Sequence, residues 1–175
     1  MRLWSWQLLP FLPKSQLLSQ KRECDLIWKD LANGKKTNHI LINYIWKYDD
    51  YEDELYCYYL FLKKEFDNRG YKFTFSKNVF KLKNAYPMGC DFIPFGIYHD
   101  FKYLTQCYYN LEEKYMRGQK DFDNSTFIKL SNFYEKCYFK FVSEQKKVDF
   151  KAKCLINQGI NVKELFFDEF KLEGE

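Results

Sequence analysis

The chain is poor in the residues that build metal centres and membrane spans. It has two histidines and six cysteines in 175 residues. The cysteines stand at 24, 57, 90, 107, 137 and 154, never closer than 17 residues. The paired CxxC spacing of zinc and dithiol sites is therefore absent, and no metal or other cofactor is expected. The longest apolar run, Leu55 to Leu62, is far too short for a bilayer, which takes about 20 residues, so no membrane partner is expected. The opening segment is apolar but broken by Gln7, Pro10 and Pro13. No small-residue cleavage site follows it, so it reads as structure and not as an export signal. Six reduced thiols, most of them small core residues of a cytoplasmic protein, are the expectation. The Gly-x-x-x-x-Gly-Lys-Ser/Thr spacing of a P-loop is missing, as are internal repeats and low-complexity tails.

What the chain does hold is enough sequence for one domain with a real core. The net charge of +4 is only mildly basic and by itself says little about partners. Its distribution says more. Residues 1–47 carry eight basic side chains against three acidic ones, so the whole excess sits in the N-terminal quarter. Aromatics make up 21% of the chain; the codon bias of an AT-rich genome accounts for that, and abundance alone is no sign of base stacking.

The pattern predicts an all-α fold. One compact domain of four to five helices is expected, with an N-terminal arm lying back on the first helix. Residues 1–13 read as an extended or irregular arm, since Pro10 and Pro13 disfavour helix before them. From Lys14 to about Leu31, Leu17, Leu18, Cys24, Ile27, Trp28 and Leu31 recur at helical spacing. A second stripe of Gln16, Ser19 (with Gln20) and Glu23 occupies another face, with Arg22 beside it. Taken alone, that stripe is a solvated surface. Asn33-Gly34 ends the helix, and the Lys35-Lys36 loop that follows suits contact with an anion. Ile40 to Trp46 fits either a short strand or a buried connector. A second helix is expected from about Asp50 to Asn68, its acidic start favouring the positive end of the helix dipole. Residues 71–96 look irregular, with turn signals at Asn84, Pro87, Gly89 and Pro94. Further helices are expected over about 97–116, 125–145 and 150–157, and another over 162–172. His99, at a helix start, reads as structural.

The opening residues resemble a known family. Met1-Arg2-Leu3-Trp4, Leu9-Pro10 with Leu12-Pro13, Gln16-Leu17-Leu18 and Arg22-Glu23-Cys24 look like the bacterial branch of the pyrimidine-dimer DNA glycosylases. That group includes the phage endonuclease V type of repair enzyme. Gly34-Lys35-Lys36, His39 with Ile42-Asn43-Tyr44, and Glu65 with Arg69-Gly70-Tyr71 continue the likeness in the same order. It covers roughly residues 1–72, with a weaker echo around Asp91-Phe92-Ile93-Pro94. Residues 1–120 are therefore expected to be a glycosylase-like core and 121–175 a helical extension.

The resemblance implies a metal-independent DNA glycosylase with abasic-site lyase activity, acting on double-stranded damaged DNA at pyrimidine dimers. The nucleophile carried over is the α-amine of Met1, which forms an imine with the sugar, assisted by Glu23. Arg2 and Arg22 would hold phosphates and sugar, and Gln16, Lys21, Lys35, Lys36 and His39 are the further DNA-contact candidates. A monomer is expected. An α-amine titrates near about 7.7–8.0, so a useful fraction of such amines is neutral at physiological pH. Two departures bear on substrate choice or on the strength of the site: Lys21 and Tyr59 stand where many bacterial relatives carry histidine. Bulky Arg2 should also protect Met1 from removal. The alternative class is a non-catalytic DNA- or RNA-binding protein derived from that family.

Overall fold

The computed structural model describes residues 1–82 and 92–157, with side chains through Val148. Among these residues every regular element is helical, as the sequence pattern predicts. A 3-10 helix, Trp6–Phe11, leads into α1, Lys14–Ala32. A second 3-10 helix, Asn43–Lys47, precedes α2, Tyr51–Asn68. The short α3, Lys77–Leu82, is followed by α4, Phe101–Met116, and α5, Asn124–Asn157. The turn signals at Asn84, Pro87 and Gly89 and the helix expected over 162–172 lie outside the described residues. Chain packing divides the molecule into Met1–Tyr134 and Glu135–Glu175. In the second unit the described side chains of α5 are exposed, with Cys137 and Val142 half-buried.

In the first unit the core follows the apolar stripes. Leu17, Cys24, Ile27 and Trp28 of α1 are fully buried, as are Leu55, Tyr58, Tyr59 and Leu62 of α2. The N-terminal arm contributes as much as a helix does: Leu3, Leu8, Leu9 and Leu12 are all buried to 2% exposure or less. Each such side chain contributes about 1.5–3 kcal/mol when withdrawn from water, so the arm is part of the core. It packs on α2 and α4, and its first residues bond to α1.

Four expectations need correction. The stretch 71–96 is not wholly irregular, because α3 docks on α1 through fully buried Val79. The helix expected from residue 97 begins at Phe101, where the Asp100 carboxylate caps the Tyr103 amide at 2.8 Å. The two helices expected over 125–145 and 150–157 are one, since no glycine or proline interrupts the intervening residues. Cys57 is disulfide-bonded, so the expectation of reduced thiols throughout fails there, while Cys24 and Cys107 are buried free thiols. Ile40–Trp46 is the buried-connector alternative: Ile42 and Ile45 are fully buried and no strand forms.

Gly34 ends α1 at φ +70° and Gly70 follows α2 at φ +67°, both in the left-handed region where a side chain is strained. Phe95, fully buried, also has positive φ, 55°, which a bulky residue rarely adopts. The buried Glu54 carboxylate accepts its amide. Burial raises the Glu54 pKa, against a lowering by that bond.

Candidate active site

With 3.6 residues per turn, positions 16, 19, 20 and 23 share one face of α1. Gln16, Ser19, Gln20 and Glu23 line a cavity of about 210 Å³. The arm closes one side of it with Met1, Arg2 and Trp4. Leu41 contributes from the turn after α1, and Asn110 and Lys114 from α4. The polar stripe on the first helix thus faces a shared cleft.

Two of these side chains tether the arm. In extended chain, alternate amides point the same way. The Trp4 amide donates to the buried Gln20 Oε1 at 2.8 Å, and the Arg2 amide donates to Glu23 Oε2 at 2.9 Å. Covalent geometry keeps an α-nitrogen within about 3.7 Å of the next amide nitrogen. The Met1 nitrogen therefore lies within about 6.6 Å of that carboxylate oxygen.

Two of the arm's carbonyls are satisfied by tyrosines. Tyr58 Oη donates to the Trp4 carbonyl at 2.8 Å, and Tyr103 Oη donates to the Leu3 carbonyl at 2.5 Å. Behind them stands His99, 4% exposed. The Trp6 amide approaches its Nδ1 at 3.4 Å, and its Nε2 lies 2.6 Å from Tyr44 Oη. The Tyr44 and Tyr103 rings pack edge to face, with centres 5.8 Å apart. One polarity satisfies the histidine and its partners: Trp6 N–H donates to Nδ1, and Nε2–H donates to Tyr44 Oη. That assignment needs a neutral imidazole, and burial pushes the His99 pKa down to about 3. Burial likewise raises the Tyr44, Tyr58 and Tyr103 hydroxyls well above the ordinary phenol range.

Farther along, Arg69 fixes the Leu-Pro segment. Its Nη1 donates to the Leu12 carbonyl at 2.7 Å, and its Nη2 donates to Pro10 at 2.8 Å and Leu9 at 3.3 Å. Its Nε pairs with Glu65. The first turn of α1 is held from a distant loop. Asp121 accepts from the Ser15 amide at 2.6 Å and from Ser15 Oγ at 3.0 Å, and Gln16 donates to Gln119 at 3.1 Å. Partial burial works against the ionised Asp121 carboxyl, yet bonds from Ser15 and Gln119 hold its pKa below the usual value.

Of the residues singled out from sequence, Met1, Arg2, Gln16 and Glu23 meet in the cavity. Arg2 also stacks its guanidinium 5.4 Å from the Trp4 ring centre. Arg22 is exposed and outside the cavity lining. Lys21 turns elsewhere: Nζ pairs with Asp25 at 2.7 Å and lies over the Tyr59 and Phe73 rings. Tyr59 Oη donates to the same Asp25 carboxylate. The two positions that depart from the bacterial pattern are thus joined through one aspartate. Lys35 is exposed, whereas Lys36 rests 4.5 Å from the Tyr51 ring centre. His39 Nδ1 accepts from the Leu41 amide at 3.2 Å, leaving Nε2 as the protonated nitrogen. Sequence reasoning missed Asn110 and Lys114; their four-residue spacing puts them on one face of α4, but nothing local says what that face meets. Among the described residues no group of three or more His, Cys, Asp or Glu is placed to hold a metal ion, and no helix is long and apolar enough to cross a membrane.

Fold and cleft define a small helical protein whose N-terminus is built into a polar cavity against a helix-borne glutamate. Residues 1–79 match the family model described as pyrimidine dimer DNA glycosylase, somewhat under half of the chain. No curated protein and no solved structure matches the chain.

Proposed function

We propose that this protein is a glycosylase and abasic-site lyase for damaged double-stranded DNA, with the Met1 α-amine as nucleophile and Glu23 as its partner. The observation that carries this reading is the 2.9 Å bond from the Arg2 amide to Glu23 Oε2, which keeps the chain's first nitrogen near a carboxylate. In the reaction the neutral amine attacks C1′ of the damaged nucleotide and a C–N bond forms as the glycosidic bond breaks. The departing base takes the bonding pair. Loss of the amine proton and opening of the ring give an imine. Glu23 then removes a C2′ proton, and β-elimination breaks the C3′–O bond and releases the 3′-side strand as a phosphate.

A fixed carboxylate suits both steps. It stabilises the cation-like sugar during base release and shuttles the C2′ proton afterwards. Arg2 and Lys114 supply positive charge at the cavity, and Asn110 and Gln16 supply hydrogen bonds. Arg22, Lys35, Lys36 and His39 extend the contact along the duplex, Lys21 shapes the Tyr59 side, and the protein acts as a monomer. The lesion proposed is the pyrimidine dimer named by the family.

Borohydride reduction tests the reading directly. The untagged protein should form a covalent adduct with DNA carrying an abasic site. A residue added before Met1 should abolish the adduct. Normal trapping by the extended form would show the nucleophile to be misassigned, and no adduct from folded untagged protein would leave only a DNA-binding role.

A further inference from the structure

Ile40 and Leu41 form the crest of the turn after α1, and they are 86% and 38% exposed. A single exposed aliphatic side chain is ordinary. Here the turn is braced so that the pair cannot fold inward. The His39 carbonyl accepts from the amides of Ile42 at 2.9 Å and Asn43 at 3.0 Å. Asn43 Oδ1 accepts from the His39 amide at 2.8 Å, and its Nδ2 donates to Asn38 at 3.0 Å. Beneath the crest, Ile42 and Ile45 are fully buried and already fill the inward positions. Leu41 also lines the cavity that holds Met1 and Glu23. The stretch leading to the crest carries exposed Lys35 and Lys36.

We propose that Ile40, supported by Leu41, is an apolar wedge that enters the base stack of duplex DNA beside the lesion. This rests on the glycosylase reading, because such chemistry must reach C1′ of a nucleotide drawn out of the stack. An inserted aliphatic side chain unstacks a base step and fills the space the nucleotide leaves. A rigid crest does so without ordering on contact, and the adjoining lysines bring phosphates to it. The distance from crest to cavity is set by consecutive residues, so insertion and delivery of the sugar are one movement.

The test uses the full chain with Ile40→Ser, a change at an exposed position, and Ile40→Leu as the conservative control. Duplex cleavage at a lesion should fall tenfold or more in the serine variant and return to within about threefold in the leucine variant. Trapping on a single-stranded oligonucleotide with an abasic site, which has no stack to open, should stay within twofold. A duplex with 2-aminopurine next to the abasic site reads insertion without any chemistry: the wild type should raise its fluorescence on binding and Ile40→Ser should not. Equal losses on both strands, or an unchanged fluorescence rise in the serine variant, would overturn the wedge. A wild type that raises fluorescence but traps no DNA would sink the enzyme reading and leave the wedge standing.

Discussion

Glu23 accepts the Arg2 backbone amide at 2.9 Å through Oε2, so one carboxylate both anchors the start of the chain and faces the cavity. The two roles separate by substitution. Glu23→Gln keeps an acceptor for the amide and removes the charge. Strand cleavage should fall about 10²–10⁴-fold, the range for loss of a positioned acid–base group, while DNA affinity stays within a fewfold and the thermal midpoint barely moves. Glu23→Ala should lose cleavage and also loosen the arm, seen as faster amide exchange at Arg2.

Arg69 bonds three carbonyls of the arm and one carboxylate, and its side chain is only 21% exposed. Arg69→Ala strands those carbonyls and the Glu65 charge. Urea denaturation should report a loss of about 2–4 kcal/mol. Arg69→Lys should recover less than half of that, because an ammonium lacks the planar fork that reaches several acceptors at once.

His99 predicts an acid-side slope in stability. The unfolded chain takes up a proton near pH 6.5, whereas burial holds the native imidazole neutral until about pH 3. Below pH 6.5 the unfolded state therefore binds more protons, and stability falls as pH falls, by about 1.4 kcal/mol per unit. The contribution is fully present above that point. Denaturation at pH 6.5 and 5 should show the decline, and His99→Gln, which cancels the other titrations, should flatten it by about that amount.

DNA binding should be steeply salt-dependent. If about four phosphates are neutralised, affinity falls roughly a hundredfold between 50 and 200 mM salt. Lys114 lines the cavity, so Lys114→Ala should reduce the log–log slope by about 0.9, the value of one phosphate contact. Fluorescence anisotropy across a salt series measures it, and an unchanged slope would remove Lys114 from the interface.

The first helix was legible because both its stripes are periodic within one element: Leu17, Cys24, Ile27 and Trp28 face the core, and Gln16, Ser19, Gln20 and Glu23 face the cavity. Arg69 was recognisable as part of a family motif, but its task depends on carbonyls 57 to 60 residues away, which no local pattern reveals. Asn110 and Lys114 were hidden for the same reason, since what this face of α4 meets is set by packing on distant segments such as the arm. The short α3 was masked by an aromatic run whose periodicity is ambiguous. The continuity of α5 was obscured by a drop in apolar residues between Gln145 and Phe150, which weakens the pattern without breaking the backbone.

The residues that fix the arm come from Arg69, His99, Tyr103 and Asp121, the last bonding Ser15 across 106 positions. Gln20 and Glu23 hold the Trp4 and Arg2 amides from within the same early stretch, but the arm's carbonyls find partners only once Tyr58, Arg69 and Tyr103 have been made. At roughly 5–20 residues per second, that interval is roughly 5–20 s of synthesis. The arm is therefore among the last segments to be fully seated, and a nascent chain arrested before residue 103 lacks the tyrosine that holds the Leu3 carbonyl.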